Sequence, residues 1–522
     1  VRNVEEVSPH FFIRMPIDGL QQLASAVGMQ VVFLGRKKTM RKKIFYSFLL
    51  VFTALSFPGC TKFRGHYGTK SYDKVERPVQ PADIVLPEGY KIEVVSTGLN
   101  FPTGITFDEQ GNAYVIEAGY SYGEIYTKPR LLKIDNNTGQ PTELAQGGKN
   151  GPWTAVDYHK GNFYVSEGGT AEGGKILKIT PSGEITKLIG DLPGYGDHHT
   201  DGVTVGPDGY IYFGQGTATN SAVVGKDNAD FGWLKRKKDF HDIPCEDIIL
   251  AGENYETENV LSEDKEKVLT GAFVPYGTKT TKGQVIKGAL PCNGAIMRMP
   301  LEGGPLELVA WGFRNPFGLA FSPQGKLYVT DNGYDTRGSR PVFGAGDLLW
   351  SVKDKAWHGW PDFSGEDSLS GEHFKARSIQ PKSLLLKKPN APPKPAAIFG
   401  VHSSANGFDF SRNSSFGNVG DAFVAQFGDM APNVGNVYAP VGFKVVRVDV
   451  KTGEILDFAV NKGLTNGPAS HQKSGGLERP VDAKFNPDGS ALYIVDFGVL
   501  EMPEGGPAPK QFTGTIWKIT KK

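Results

Sequence analysis

The stretch Trp311-Gly-Phe-Arg-Asn-Pro-Phe-Gly-Leu-Ala-Phe-Ser-Pro-Gln-Gly-Lys-Leu-Tyr-Val-Thr-Asp-Asn-Gly333 reads as two short strands around a tight turn. Gly318 to Phe321 forms the first strand, Ser322-Pro323-Gln324-Gly325 the turn, and Lys326 to Thr330 the second strand. Proline presets φ at the second turn position and glycine supplies the positive φ that closes it. Arg314-Asn315-Pro316 leads into the first strand and Asp331-Asn332-Gly333 leads out of the second. In an antiparallel pair the start of one strand lies beside the end of its partner. Arg314, Asn315, Asp331 and Gly333 are therefore expected at one rim of the sheet.

The same pattern returns along the chain, and internal repeats decide architecture before anything else does. Copies begin at Phe101, Gly151, His199, Trp311, His402 and Arg479. Their second strands include Ala113–Glu117, Phe163–Glu167, Tyr210–Gln215, Ala422–Gln426 and Leu492–Asp496. Most copies are followed by a third strand that alternates apolar with basic residues, as in Lys175-Ile-Leu-Lys-Ile179 and Thr515-Ile-Trp-Lys-Ile519. Period-two alternation bounded by turn residues is the strand signal. Six units of three or four strands predict an all-β, six-bladed β-propeller, which closes radially and leaves few open edges. A β-sandwich or helical solenoid is the alternative, but no long stretch inside the repeats has helical period.

Residues 1–39 carry no repeat and read as an extension upstream of a start at Met40. Residues 40–60 read as a lipoprotein signal peptide: Arg41-Lys-Lys43, an apolar run from Ile44 to Phe57, then Cys60 as the lipidated residue. A transmembrane anchor is the alternative, but the run is short of the roughly 20 residues a span needs. Such a signal implies a bacterial cell envelope, with the protein lipid-anchored and facing periplasm or cell surface. Residues 61–87, polar and basic, read as a tether. The propeller is expected over 88–522, with insertions at 217–290 and 378–395. The second of these, rich in lysine and proline, is expected as an extended surface loop. With 67 glycines and 35 prolines the chain is turn-rich, and its net charge of +1 gives no reason to expect a nucleic-acid partner. Once Cys60 is lipidated, Cys245 and Cys292 remain, and in an exported protein a remaining pair favours a disulfide over two free thiols.

Aligning the copies on their first strands puts three columns at one mouth of the central channel. The first holds Asn100, Asn150, His198, Arg314, Ser403 and Glu478. The second holds Phe101, Gly151, His199, Asn315, Ser404 and Arg479. The third, at the ends of the second strands, holds Glu117, Glu167, Gln215, Asp331, Gln426 and Asp496. Such a mouth suits a polar, anionic, planar ligand held by guanidinium groups. His198 is a candidate general base, because histidine titrates near operating pH. The plainer alternative is that these groups only satisfy backbone and neighbouring charges.

Gly312-Phe-Arg-Asn-Pro-Phe-Gly-Leu-Ala-Phe-Ser-Pro-Gln-Gly-Lys-Leu-Tyr-Val329 resembles the signature of the glucose/sorbosone dehydrogenases, six-bladed propellers that use pyrroloquinoline quinone. Asp197-His198 ahead of Gly206-Pro-Asp-Gly209 resembles that family's catalytic histidine segment, and Gly442–Val448 and Glu478–Asp482 resemble its last two blades. The resemblance implies His198 as the base toward a sugar or alcohol hydroxyl, and Arg314 as the group that polarises the quinone, with Asn315 beside it. It implies Arg479 on a cofactor carboxylate, and main-chain carbonyls of Gly333 and Tyr334 on calcium. The sequence departs from the family at Tyr334 (a proline there), Thr217 (the aspartate that orients the histidine) and Lys149 (a glutamine), and no lysine stands near Phe427-Gly-Asp429.

Three functions compete at this stage. One is a quinone-dependent sugar or alcohol/aldehyde dehydrogenase with an electron acceptor the sequence does not name. Another is a lipid-anchored propeller binding module without redox activity. The last is a metal-dependent lactonase-like hydrolase, for which Glu117, Glu167 and Asp331 are the candidate donors.

Overall fold

The computed structural model of the protein describes residues 75–522, apart from 122–123, 126, 170–171, 265 and 504–505. The extension 1–39, the signal at 40–60 with Cys60, and the tether as far as 74 lie outside the described residues.

The repeated hairpin forms as its sequence dictates. In the fourth copy the strands are Pro316–Phe321 and Leu327–Asp331. Between them the Gly325 N–H donates to Ser322 O at 2.8 Å, with Gly325 at φ 73°. Each copy builds one antiparallel sheet, and the six sheets are the blades of a propeller. The innermost strands are Pro102–Phe107, Trp153–His159, Thr200–Val205, Pro316–Phe321, Ala405–Phe410 and Pro480–Phe485. Each packs against the inner strand of the next blade, and the last returns to the first. The ring is closed by hydrogen bonds between the two ends of the domain. Tyr90–Leu99 is the outermost strand of the sixth blade and pairs with the C-terminal Gly514–Lys521, Ile92 opposite Ile519.

The apolar faces of adjacent blades make the core. Between blades five and six, for example, Phe416, Phe423, Phe485 and Trp517 lie in one buried cluster. Burying each such side chain contributes about 1.5–3 kcal/mol. The outermost strands are half-exposed, as in Ile185–Leu192 and Glu454–Asn461, so they lack a strong alternation.

The domain starts earlier than residue 88. Arg77 donates to Thr513 O and Gly476 O and pairs with Asp496 deep in the sixth blade. Ile84–Val85 adds a short strand to the fifth blade, beside Val460 and Asn461. The described end of the expected tether is thus part of the folded body. No periodicity announces it, because one buried arginine and a two-residue strand hold it.

The insertion at 217–290 separates the second and third strands of blade three, Tyr210–Gln215 and Ala295–Pro300. It carries two short helices, Lys226–Asp230 and Trp233–Arg236, and a hairpin of Asn254–Glu258 with Lys267–Gly271. The segment 378–395, expected as an extended surface loop, has no helix or strand and is mostly exposed or half-buried, but it is anchored. Leu384 and Leu385 are buried, and the Ala251 N–H donates to Leu384 O, so this loop packs on the first insertion. The leucine pair, hidden among lysines in the sequence, drives the docking.

Cys245 and Cys292 form a disulfide across a separation of 47 residues. Replacing both with serine is expected to destabilise the fold by about 2–4 kcal/mol. A lowered urea midpoint checks this; an unmoved midpoint would show that the insertion is held without the bond.

Candidate active site

A cavity of about 410 Å³ opens at one mouth of the channel. The second residue of every inner strand contributes to it: Thr103, Thr154, Asp201, Phe317, Asn406 and Val481. The blades thus converge on one chamber, and the residues just before four of those strands, Pro152, His199, Asn315 and Ser404, line it too.

His198 lines this cavity and is buried. Its Nδ1 lies 2.9 Å from Thr217 O and 3.0 Å from Thr217 Oγ1. A carbonyl oxygen only accepts, and the Thr217 hydroxyl already donates to Thr219 O at 2.7 Å. Nδ1 must therefore carry the proton, which leaves Nε2 as the basic nitrogen. Burial, reinforced by the charges of Arg314 and Arg337, holds the His198 pKa well below the ordinary value, against the opposing bond to Thr217. The ring is therefore neutral at neutral pH, with Nε2 unprotonated. Thr217 thus orients the imidazole through its backbone carbonyl. The same residue's N–H donates to Arg314 O at 2.9 Å, tying the histidine and arginine segments together.

Arg314 also lines the cavity. Its Nη2 pairs with Asp335 Oδ2 at 2.8 Å and donates to Asn220 Oδ1 at 3.0 Å. A second guanidinium, Arg337, stands in the same wall. It pairs with Asp197 at 2.8 Å, Asp227 at 2.7 Å and Asp335 at 3.0 Å. Burial pushes Asp335 up, but the two arginines outweigh it and hold its carboxyl below the ordinary value. Burial keeps Asp197 raised despite Arg337. The first insertion reaches this wall too, through Phe231 and Trp233.

Of the other residues singled out in the sequence, Asn315 and Gly333 line the cavity. Asn315 Nδ2 donates to Asn332 Oδ1 at 2.8 Å. Tyr334 does not line it. Tyr334 meets Gly333 in an adjoining pocket of about 10 Å³, with its ring in the core and its hydroxyl on Phe363 O. Arg479 does not line the cavity but stands behind Phe427 and Gly428, which do; its guanidinium stacks on Phe427 and Phe443 and donates to the carbonyls of residues 427 to 429. His199 lines the cavity beside His198. Strand alternation does not separate them, because the strand begins only at Thr200.

The third column is structural. Asp331 Oδ1 accepts from the backbone N–H groups of Arg314 and Asn315 at 3.0 and 2.7 Å, and Asp496 does the same for Glu478 and Arg479. Glu117 accepts from Asn100 N, and Glu167 from Asn150 Nδ2 and Trp153 Nε1. Each carboxylate clamps the two ends of its own hairpin. Among the described residues no group of three histidine, cysteine or acidic side chains gathers as a metal site. The donors required by a lactonase-like hydrolase are therefore spent in three separate blades.

Sequence reasoning passed over Arg337, Asp335 and His402. His402 lines the cavity with Nδ1 3.7 Å from Asp335 Oδ1, held at φ 63°. The available signal was the density of charge in Asp331-Asn-Gly-Tyr-Asp-Thr-Arg337, just beyond the decisive hairpin.

No protein-family model matches the chain, and no curated protein matches it by sequence. Solved structures do match. The calcium structure of Trichoderma reesei Carbohydrate-Active Enzymes Family AA12 aligns at TM-score 0.51 and 14% identity, over 86% of this chain and 99% of that one. The holo form of the pyranose dehydrogenase PQQ domain from Coprinopsis cinerea aligns at TM-score 0.50 and 15% identity, over 87% and 98%. The PQQ-bound aldose sugar dehydrogenase from Streptomyces coelicolor gives 0.48 and 16%, over 84% and 100%. Over most of its length the chain therefore shares the fold of the AA12 structure and of the PQQ domain of pyranose dehydrogenase.

Proposed function

We propose that the protein is a dehydrogenase of sugars or related alcohols and aldehydes that uses pyrroloquinoline quinone, with His198 as general base. One observation carries this: a buried, neutral imidazole, fixed in the Nδ1–H tautomer by Thr217, lines the same cavity as Arg314. A base held this way takes the proton of a substrate hydroxyl at Nε2. Pyrroloquinoline quinone, when bound, supplies a carbonyl centre that accepts hydride. The wall fits a planar anionic quinone. It offers the guanidinium groups of Arg314 and Arg337 and the aromatic rings of Phe427 and Phe497. It also encloses two polar atoms that lack a protein partner, Asn315 Oδ1 and Asn433 Nδ2, the kind of group a ligand or water satisfies. Arg314, Arg337 and Asn315 would hold the quinone. Calcium would rest on main-chain oxygen at Gly333, which suits a hard cation.

Titrating purified protein with the quinone and calcium, and following the cofactor's absorbance and then oxidation of a sugar panel, tests this. Saturable binding with turnover supports the dehydrogenase. Sugar binding without quinone binding would favour the second reading, a propeller that binds without redox chemistry. One observation favours that alternative: the two wall arginines are already balanced by Asp197, Asp227 and Asp335.

The same proposal puts the protein on the bacterial cell envelope, anchored through Cys60 and facing periplasm or cell surface. The signal-like sequence at 40–60 and the disulfide, typical of an oxidising compartment, support it. Changing Cys60 to serine is expected to release the protein from membranes into the soluble fraction. Retention of that variant in the membrane fraction would argue for a spanning segment.

A further inference from the structure

We propose that Asp242, in the insertion of blade three, is a positioning residue that fixes the tautomer of His198. This rests on the assignment of His198 as the base. Asp242 is fully buried and is not among the residues that line the cavity. Its Oδ1 accepts from the Ala218 N–H at 2.6 Å, and its Oδ2 accepts from the Thr219 hydroxyl at 2.6 Å. These two residues follow Thr217, whose carbonyl receives the Nδ1 proton of His198 at 2.9 Å. Thr219 also takes part from the other side, since its carbonyl accepts from the Thr217 hydroxyl. One carboxylate thus clamps both residues beyond the carbonyl that selects the tautomer. Without it the 217–219 segment loses two buried bonds, and the Thr217 carbonyl loses its fixed direction.

Asp242 is itself held. The next residue, Ile243, donates its N–H to Asn293 Oδ1 at 3.0 Å, and the Asn293 N–H donates to Ile243 O at 2.9 Å. Asn293 Nδ2 reaches Gly216 O at 3.0 Å, immediately before Thr217. The Cys245–Cys292 disulfide closes beside this exchange. The insertion therefore delivers a carboxylate to the back of the base, across a bonded frame. A carboxylate that orients a histidine through hydrogen bonds to its partner, instead of directly, leaves the imidazole neutral and keeps its Nδ1–H on a carbonyl.

The test uses the full chain with nitrogen-isotope-labelled histidine and reads ring proton–nitrogen correlations. His198 is assigned by the signal lost in His198→Gln. The wild type is expected to show a neutral ring with its proton on Nδ1. Asp242→Ala is expected to lose that pattern, giving an Nε2–H or mixed signal. His358, whose Nδ1 lies near Ala356 O and Trp311 O in another part of the fold, should keep its shifts and report an intact protein. Asp242→Asn retains one acceptor oxygen and should restore most of the wild-type pattern. Should Asp242→Ala unfold, the His358 signal will collapse with it, and Thr219→Val decides: it deletes only the hydroxyl that Asp242 holds and is expected to disturb His198 alone. An unchanged His198 pattern in Asp242→Ala, or in Thr219→Val where the alanine variant unfolds, overturns the proposal. The readout needs no turnover. A tautomer that responds in a protein with no dehydrogenase activity would remove the functional assignment and leave the positioning role standing.

Discussion

Turnover is expected to fall by about 10²–10⁴-fold when His198 becomes glutamine, with little change in thermal stability at neutral pH. Glutamine keeps a donor for the Thr217 carbonyl but has no nitrogen that accepts a proton near neutral pH. The loss should appear in kcat, with quinone affinity nearly unchanged. His199→Gln is the comparison. His199 shares the cavity wall, but its Nδ1 bonds Gly194 O at 3.3 Å, away from the Thr217 junction that joins His198 to Arg314. Equal losses from the two variants would sink the assignment of the base. Acidity gives a further check. The folded-state pKa of His198 lies well below its unfolded value of about 6.5, so the base stays unprotonated as pH falls through that value. The rate should accordingly show no loss from this group between about pH 8 and 6. For stability the sign is opposite to that of a salt-bridged histidine. The neutral folded form is favoured in full above the unfolded pKa, and that contribution declines as pH falls from it toward the folded pKa. His198→Gln should therefore lose less stability than the wild type on acidification below about pH 6.

Removing the Arg314 guanidinium is expected to cost stability as well as function. In Arg314→Ala, buried Asp335 loses its 2.8 Å partner and keeps Arg337 and the more distant His402, while Asn220 Oδ1 loses two donors. Breaking a buried pair on one side costs about 3–5 kcal/mol, and the surviving Arg337 puts this case at the lower end. Urea unfolding reads the stability term, and quinone titration reads the loss of binding. Arg314→Lys keeps the charge but not the planar fork, so it should recover part of the stability and little of the binding. A stable Arg314→Ala protein that binds quinone like the wild type would remove Arg314 from the site.

The repeat was legible because its signals are local. Ser322-Pro-Gln-Gly325 sets a turn by its own φ preferences, and alternation on either side sets two strands, whatever lies elsewhere in the chain. Six such units define the blades, their order and the mouth at which His198, Arg314, Asn315 and Gly333 line one cavity. The pairing of Cys245 with Cys292 was open to the same reading, because few cysteines were left to choose from.

What the chain could not announce depends on partners far away in sequence. Arg479 and Arg314 sit at similar blade positions and look equivalent in the alignment. One stacks between two aromatic faces and donates to three carbonyls behind the cavity wall, and the other lines the cavity. Arg337 and Asp335 lie in a loop without periodicity, and their role appears only when Asp197 and Asp227 come to meet them from blade three and its insertion. Sequence by itself determined the backbone pattern, since turn chemistry and alternation act within a few residues. Tertiary structure alone decided which charged groups face the cavity, because burial and ion pairing are set by the residues that packing brings near, and some of these, such as Asp197 and Asp227 beside Arg337, stand more than a hundred residues away in the chain.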